Sequence, residues 1–432
     1  MKISEHLNKI TYTALDKSTF VLYGIAMIVI LQITDRTELG LFTLFNNMHN
    51  FILAIANYLG LQAMLQFSAN VKEKPVVNLY AIFNFIMVIS ISTGLLLLFQ
   101  YQIADIFNEP NLVVIANSLP LLSLLSIGRY FCMYVMFREL MMKQMFIADL
   151  VYFGTMSGII FYCAGAGRFL TYTDMIDITY LGSFLSTIVS IALTRKFWKF
   201  RLKGTTRYKD ILKFSGKYSI IGISLTLPRT LDVYAIQYFF GTGVVGLYAP
   251  AKTIFRFVED AMNTVFATIY SPTVRYFANN DIESVNKLIS KAISLLIFGF
   301  TAATICCWLG GENVFSLFLP QKFIAAIPFF NILMLSSIVL PFSILNTTIS
   351  AEGKPGLVAV FIACAMCMWL LSFVLVGTYF ADKVILAAAP CIVFNLVLAI
   401  FFYIYAKKHY QLRPKQLLRA IPDGINFIKS KI

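Results

Sequence analysis

Charge is scarce in this chain. Only 13% of its 432 residues are Asp, Glu, Lys or Arg, while 59% are hydrophobic. Soluble domains carry about 25% charged residues, because polar side chains must cover most of their surface. A soluble globular protein of this length is therefore excluded. Histidine occurs three times, and no His, Cys and carboxylate positions share metal-ligand spacing. No metal centre and no cofactor are expected. The seven cysteines, 132, 163, 306, 307, 364, 367 and 391, all fall inside apolar runs, where disulfides are disfavoured. Cys364 and Cys367 form a CxxC, but Ala365, Met366 and Met368 surround it, so apolar packing is the expected role. No DxD, paired-carboxylate loop or nucleophile motif is present, which argues against an enzyme.

What is abundant is apolar sequence in runs near 20 residues, the length that crosses a bilayer as helix. Twelve spans are expected, near 18–34, 41–67, 76–100, 112–137, 144–166, 175–194, 214–239, 244–272, 287–309, 324–349, 356–380 and 384–406. The fold class is all-α, a polytopic membrane protein. No cleavable signal precedes the first span, which is expected to act as a signal anchor.

Lys and Arg number 35 against 21 Asp and Glu, a formal net charge of +14. Their positions carry the meaning. Twenty-seven lie in the N-terminal segment, the even-numbered loops and the tail after 406. The odd-numbered loops hold four: Arg36, Arg168, Lys322 and Lys383. Arg129, Arg229, Lys252 and Arg256 lie within spans. The asymmetry puts both termini in the cytoplasm by the positive-inside rule. The run RKFWKFRLKGTTRYK (195–209) then reads as a topology signal in contact with lipid headgroups, not as a nucleic-acid site. Ile3, Leu7 and Ile10 share one helical face at the N-terminus, and Leu417, Ile421, Ile425 and Ile428 share one in the tail, so both ends are expected at the membrane interface.

The halves echo each other. ELGLFTLF (38–45) resembles VVGLYAPA (244–251), and FNEPNLVVIANSLPLLSLLSI (107–127) resembles FLPQKFIAAIPFFNILMLSSI (318–338). Six spans is an even number, so both halves start on the same side and the repeat is parallel. The expected organisation is a six-helix bundle over 1–197, a basic linker over 198–213, a second six-helix bundle over 214–406 and a basic cytoplasmic tail over 407–432. Two pseudo-symmetric bundles around a central cavity suggest alternating access.

The eighth span carries Lys252, Arg256, Glu259 and Asn263 on one helical face, with Asp260 at its edge. The second span places Asn46, Asn50, Leu53 and Asn57 at the same i, i+4, i+7, i+11 spacing. A charge at mid-bilayer costs about 2.5–3.5 kcal/mol on insertion scales. Two readings are open: a structural ion pair of Lys252 or Arg256 with Glu259, or a polar face lining a water-filled cavity. The uncharged Asn stripe has nothing to pair and favours the cavity. Arg229 and Asp232 are three apart on the seventh span, just after Pro228, and form either a local pair or part of the same cavity. Arg129 has no local partner, so it faces either the cavity or another span. Asp149 is expected at the interface, and Gly154 with Gly158 reads as a close helix-packing motif.

The stretches ELGLFTLFNNMHNFILAIANYLGLQAM (38–64), LDVYAIQYFFGTGVVGLYAPAKTI (231–254), SPTVRYFANNDIESVNKLISKAI (271–293) and SAEGKPGLVA (350–359) carry a resemblance that spans nearly the whole chain. The chain resembles the polysaccharide-transporter branch of the multidrug/oligosaccharidyl-lipid/polysaccharide (MOP) exporter superfamily, most similar to bacterial O-antigen repeat-unit flippases. Asp232 and Gly246-Leu247-Tyr248 stand where that branch has an aspartate and a Gly-x-Tyr. The resemblance implies movement of an undecaprenyl-pyrophosphate-linked oligosaccharide across the bacterial inner membrane, from the cytoplasmic to the periplasmic leaflet. On that reading Arg129, Arg229, Lys252 and Arg256 attract the pyrophosphate. Asn46, Asn50, Asn57 and Asn263 bond sugar hydroxyls or line the site, and Asp232, Glu259 or Asp260 takes a coupling proton or sodium ion. The alternatives are a multidrug/cation antiporter of the same superfamily and a membrane glycosyltransferase or polymerase.

Overall fold

Hydrocarbon offers no hydrogen-bond partner, so an apolar run must close its backbone bonds internally, as helix. The computed structural model describes residues 3–67 and 71–414. Within them it describes no side chains at 3–10, 217, 218, 221, 224, 225, 229, 263, 264, 267, 268, 271, 312–314, 317 and 318. The tail face of Leu417, Ile421, Ile425 and Ile428 lies outside the described residues.

Each expected span falls on helix. The series is α1 (Ile3–Ile30), α2 (Arg36–Ala56), α3 (Lys74–Leu98), α4 (Asn111–Arg138), α5 (Met142–Gly165) and α6 (Tyr172–Thr194). It continues with α7 (Tyr208–Phe240), α8 (Thr242–Ala278), α9 (Ile282–Phe318), α10 (Ile327–Ser337), α11 (Pro355–Tyr379) and α12 (Ala389–His409). No strand occurs among the described residues. Nine helices there are long and apolar enough to cross a membrane, and a tenth span results if a bent pair counts as one. The bend, 52°, separates Gln321–Ser337 from Leu340–Ala351. Pro341 lies just after the break, where its missing N–H costs the second segment nothing. The chain is thus an all-α polytopic membrane protein.

Helix ends follow their sequences. Thr171 caps α6 in a reciprocal box with Asp174. Asp281 opens α9 by accepting from the Ser284 N–H at 3.0 Å. Prolines stand in the first turns of α3, α10, α11 and α12, where no intrahelical donor is lost.

The chain forms two compact units, Met1–Gly246 and Leu247–Ile432. In the first, α1 packs along α5, α6 lies against α4 and α5, and α7 lies along α2. The basic linker is a strap tied to this unit. Asn78 donates to the carbonyls of Phe197 and Lys199, each at 3.2 Å. Trp198 stacks edge-on against Phe131 at 5.2 Å. Glu73 accepts from the N–H groups of Thr205 at 3.0 Å and Thr206 at 2.9 Å. Those two donors hold its carboxyl below the usual carboxylate range. In the second unit, Ile289, Ile293, Ile344, Leu345, Val358, Ile362 and Phe402 form one apolar core.

Small residues mark where backbones meet. A Cβ on Gly40 would collide with the Thr242 carbonyl and lie 3.1 Å from the Gly246 nitrogen. A Cβ on Gly246 would collide with the Arg36 carbonyl and lie 3.1 Å from its Cα. These two glycines occupy equivalent places in ELGLFTLF and VVGLYAPA, so the repeat motifs cross at their own glycines. The expected packing role of Gly154 and Gly158 is not realised. Nothing lies within 4 Å of a Cβ on Gly158, and a Cβ on Gly154 meets only Leu150 of its own helix at 3.9 Å. Cys364 and Cys367 likewise point outward from α11 and are exposed, not packed inside.

Gly246→Ala must push the start of α8 away from Arg36. Overpacking of this kind costs about 1–3 kcal/mol, so the midpoint of thermal unfolding in detergent should fall. Gly243→Ala, with nothing within 4 Å, should leave it unchanged. Orientation is tested by single cysteines in a cysteine-free background. Asp382→Cys, in the exposed loop after α11, should react with an impermeant maleimide from the periplasm. Leu202→Cys, 76% exposed on the strap, should react only after permeabilisation. The opposite pattern would invert the assignment of leaflets.

Candidate functional site

On α8, Val258, Met262, Val265, Phe266 and Ile269 turn into the core of the second unit. At roughly 100° per residue the charged stripe lies about a third of a turn from that face. The stripe is therefore on a different face from the one that enters the apolar core of its own unit. Arg256 and Asp260 are exposed, while Lys252 and Glu259 are half-buried. Lys252 Nζ lies 5.8 Å from the ring centroid of Tyr248. Tyr248 itself is 1% exposed, packs edge-on against Phe329 of α10 at 6.3 Å and reaches Cys391 Sγ of α12 at 3.5 Å. The Gly-x-Tyr thus has a mechanical reading. Gly246 permits a close backbone crossing, and Tyr248 anchors the helix that presents the stripe. The side chain of Asn263 lies outside the described residues.

On α2, Asn46 is half-buried and Asn50 is exposed, but Leu53 is 2% exposed and belongs to the core. The stripe is interrupted where the pattern places Leu53. Asn57 opens a π turn, Asn57–Leu61. The wider turn forms where Gly60 presses on the backbone of Phe85 in α3 and Tyr58 lies against Gly222 of α7. Asn57 Oδ1 is buried there without a hydrogen-bond partner. Periodicity alone carries no sign of the extra residue per turn.

On α7, Asp232 is 2% exposed and its carboxylate accepts from the Val233 N–H at 2.8 Å. The Arg229 side chain lies outside the described residues. At the end of the helix, Gln237 Nε2 donates to Thr242 Oγ1 at 3.0 Å, and Thr242 in turn bonds Glu109.

Arg129 is placed by tertiary structure. It is 7% exposed on α4, with one guanidinium nitrogen 2.5 Å from Asp149 of α5 and another donating to Ser186 of α6 at 3.1 Å. Its guanidinium carbon lies 4.1 Å from the ring centroid of Tyr152. Ser186 passes a hydrogen bond on to the Ala148 carbonyl at 2.8 Å. Of the two readings open for Arg129, the structure gives contact with neighbouring spans. Asp149 is the partner, 7% exposed, and so is not the interfacial residue expected. His49 of α2 joins nearby, bonded to Ser126 of α4 at 3.2 Å. Asp16 of α1 is buried, 9% exposed. Asp16, His49, Asp149, Tyr152 and Ser186 were not in the expected set. They sit on four different helices, α1, α2, α5 and α6, with no shared period, and the only signal was an arginine lacking a local partner.

Residues 24–328 match the protein family described as polysaccharide biosynthesis protein. No curated protein matches the chain by sequence. Among solved structures, the chain is similar to a multidrug resistance MATE family transporter of the MOP superfamily, with TM-score 0.75 and 15% identity over 90% of this chain and 94% of that one. It is also similar to the lipid II flippase MurJ, with TM-score 0.73 and 10% identity over 95% of this chain and 90% of that one. A MOP superfamily transporter from Pyrococcus furiosus matches at TM-score 0.57 and 14% identity over 93% of this chain and 94% of that one. At these identities the likeness is one of fold.

Arg129→Met strips Asp149 of its counter-charge and should destabilise the protein by about 3–5 kcal/mol. Adding Asp149→Leu removes the orphaned carboxylate and should recover most of that loss in thermal unfolding. A double variant no more stable than the single one would show that the pair is not the unit of stability.

Proposed function

The chain belongs to the polysaccharide biosynthesis protein family, and from that premise we propose that it is a lipid-linked oligosaccharide flippase. It carries an undecaprenyl-pyrophosphate-linked repeat unit of a surface polysaccharide, such as O-antigen, from the cytoplasmic to the periplasmic leaflet of a bacterial inner membrane. The shared fold of MATE transporters and MurJ supports transport over catalysis. The observation that carries the substrate reading is the charged face of α8, which lies off the face that enters its own unit's apolar core and includes the exposed Arg256. A pyrophosphate is a dense anion, and cations held near hydrocarbon attract it more strongly than cations in water. Arg256, Lys252 and Arg229 are its proposed ligands. Asn46, Asn50, Asn57 and Asn263 bond sugar hydroxyls. Asp232, Glu259 and Asp260 are the proposed carriers of a coupling proton or sodium ion. The MATE likeness supports a second reading, a cation antiporter with the same fold.

Deleting the gene should remove surface polymer and strand lipid-linked repeat units in the cytoplasmic leaflet. Normal polymer with raised sensitivity to cationic dyes would favour the antiporter. At residue level, Arg256→Glu should abolish polymer while the protein still inserts. Arg256→Lys should keep part of the function, because a point charge attracts phosphate but lacks the bidentate fork. Replacing Arg256 and Glu259 together with apolar residues should preserve the protein level but not the polymer. Full polymer from that double variant would return the stripe to a structural ion pair.

A further inference from the structure

We propose that the basic strap between α6 and α7 is a docking surface for the headgroups of anionic phospholipids, with Leu202 and Val71 as apolar anchors among the acyl chains. The occupant is the surrounding bilayer, not the transported lipid, so the proposal stands apart from the substrate reading above.

The strap's backbone is fixed by the protein. Asn78 holds the carbonyls of Phe197 and Lys199, and Glu73 holds the amides of Thr205 and Thr206. Between these ties, the Arg201 N–H donates to the Pro75 carbonyl at 3.2 Å, and the Tyr80 hydroxyl donates to the Leu202 carbonyl at 3.4 Å. All of these partners lie on α3 or the turn that leads into it. The main chain is therefore turned to the first unit, and the basic side chains of Lys196, Lys199, Lys203 and Arg207 are exposed. Between 195 and 209 there are seven Lys and Arg and no Asp or Glu; the first acid is Asp210. A fixed backbone presents these cations as one set, at a lower ordering cost than a free loop would incur.

Apolar tips stand among the cations. Leu202, between Arg201 and Lys203, is 76% exposed. Val71, on the turn before α3, is 71% exposed. Neither lies in a helix. The two loops are joined, because the Arg201 guanidinium donates to the Lys72 carbonyl at 3.0 Å. The strap also continues from the end of α6 and is tied to the start of α3, two helices long and apolar enough to cross a membrane. It therefore lies at the depth where their ends meet headgroups. A soluble acidic partner would match the charge but leave the apolar tips in water. A neutral bilayer would take the tips but not the charge. An anionic leaflet matches both. Each Lys or Arg near such a surface strengthens binding by about fivefold, and salt weakens the attraction.

The test uses the full-length protein in lipid nanodiscs, with Leu202→Cys in a cysteine-free background carrying a fluorophore whose emission shifts to the blue on leaving water. Discs of phosphatidylcholine alone are compared with discs of phosphatidylcholine and phosphatidylglycerol in equal parts. The emission should shift to the blue only in the mixed discs, and should return as salt is raised to about 1 M, where the Debye length falls to about 3 Å. Replacing Lys196, Lys199, Lys203 and Arg207 together with Gln should abolish the shift. Should that variant fail to insert, the salt titration of the parent protein still decides. Equal emission in the two kinds of disc, or a shift that salt leaves unchanged, would overturn the proposal. Inorganic pyrophosphate separates the bilayer from a free anion. If it raises the thermal unfolding midpoint of the wild type in phosphatidylcholine discs but not that of the fourfold variant, the surface belongs to a soluble phosphate and the proposal fails. Loss or retention of surface polymer on gene deletion bears on the flippase reading alone.

Discussion

A bilayer gives a buried polar group nothing to bond with except the protein itself. Arg129 shows what that constraint does. A guanidinium 7% exposed must find its partners on other helices. It finds a carboxylate on α5, a hydroxyl on α6 and an aromatic face on α5. One side chain thereby fixes three spans in register. Truncating one member of such a group leaves the others unpaired, which is why its energetic effect exceeds the net worth of the contact. The same constraint makes the α8 stripe informative. Met262 and Ile269 enter the core of the second unit, while the polar side chains lie on another face of the same helix.

Backbone approach is the second organising feature. The repeat puts Gly40 and Gly246 at equivalent positions, and the structure brings those two positions together. Each glycine clears space for a carbonyl or amide of the other strand of chain. Tyr248, two residues further on, anchors into α10 and α12. A short motif thus sets both where α8 starts and how firmly it is held, and through that the direction in which Lys252 and Arg256 project.

Hydropathy was sufficient to locate the helices, because a span needs only length and apolarity. It was insufficient wherever a position's role depends on a neighbour. Gly154 and Gly158 have the spacing of a packing motif, but among the described residues no other helix comes within 4 Å of a Cβ on either. Cys364 and Cys367 sit among apolar residues and still point outward. Leu53 interrupts the Asn stripe because the core of the first unit takes it. The π turn at Asn57–Leu61 arises from the close approach of α3 and α7, which no pattern within the second span records. The basic strap of 195–209 reads as a charged surface run, yet Glu73 and Asn78 tie its backbone to the first unit through carbonyls and amides that every sequence has.

The sequence by itself determined the class of protein, the positions of its spans and the polar face of α8. These are local or periodic properties, and a helix of fixed pitch converts spacing into direction. Only the tertiary structure decided which charges are partnered. Arg129, Asp149 and Ser186 lie on three different helices and meet because α4, α5 and α6 pack as they do. Such a contact depends on the rotation and depth of three helices at once. No spacing within any one of them encodes it.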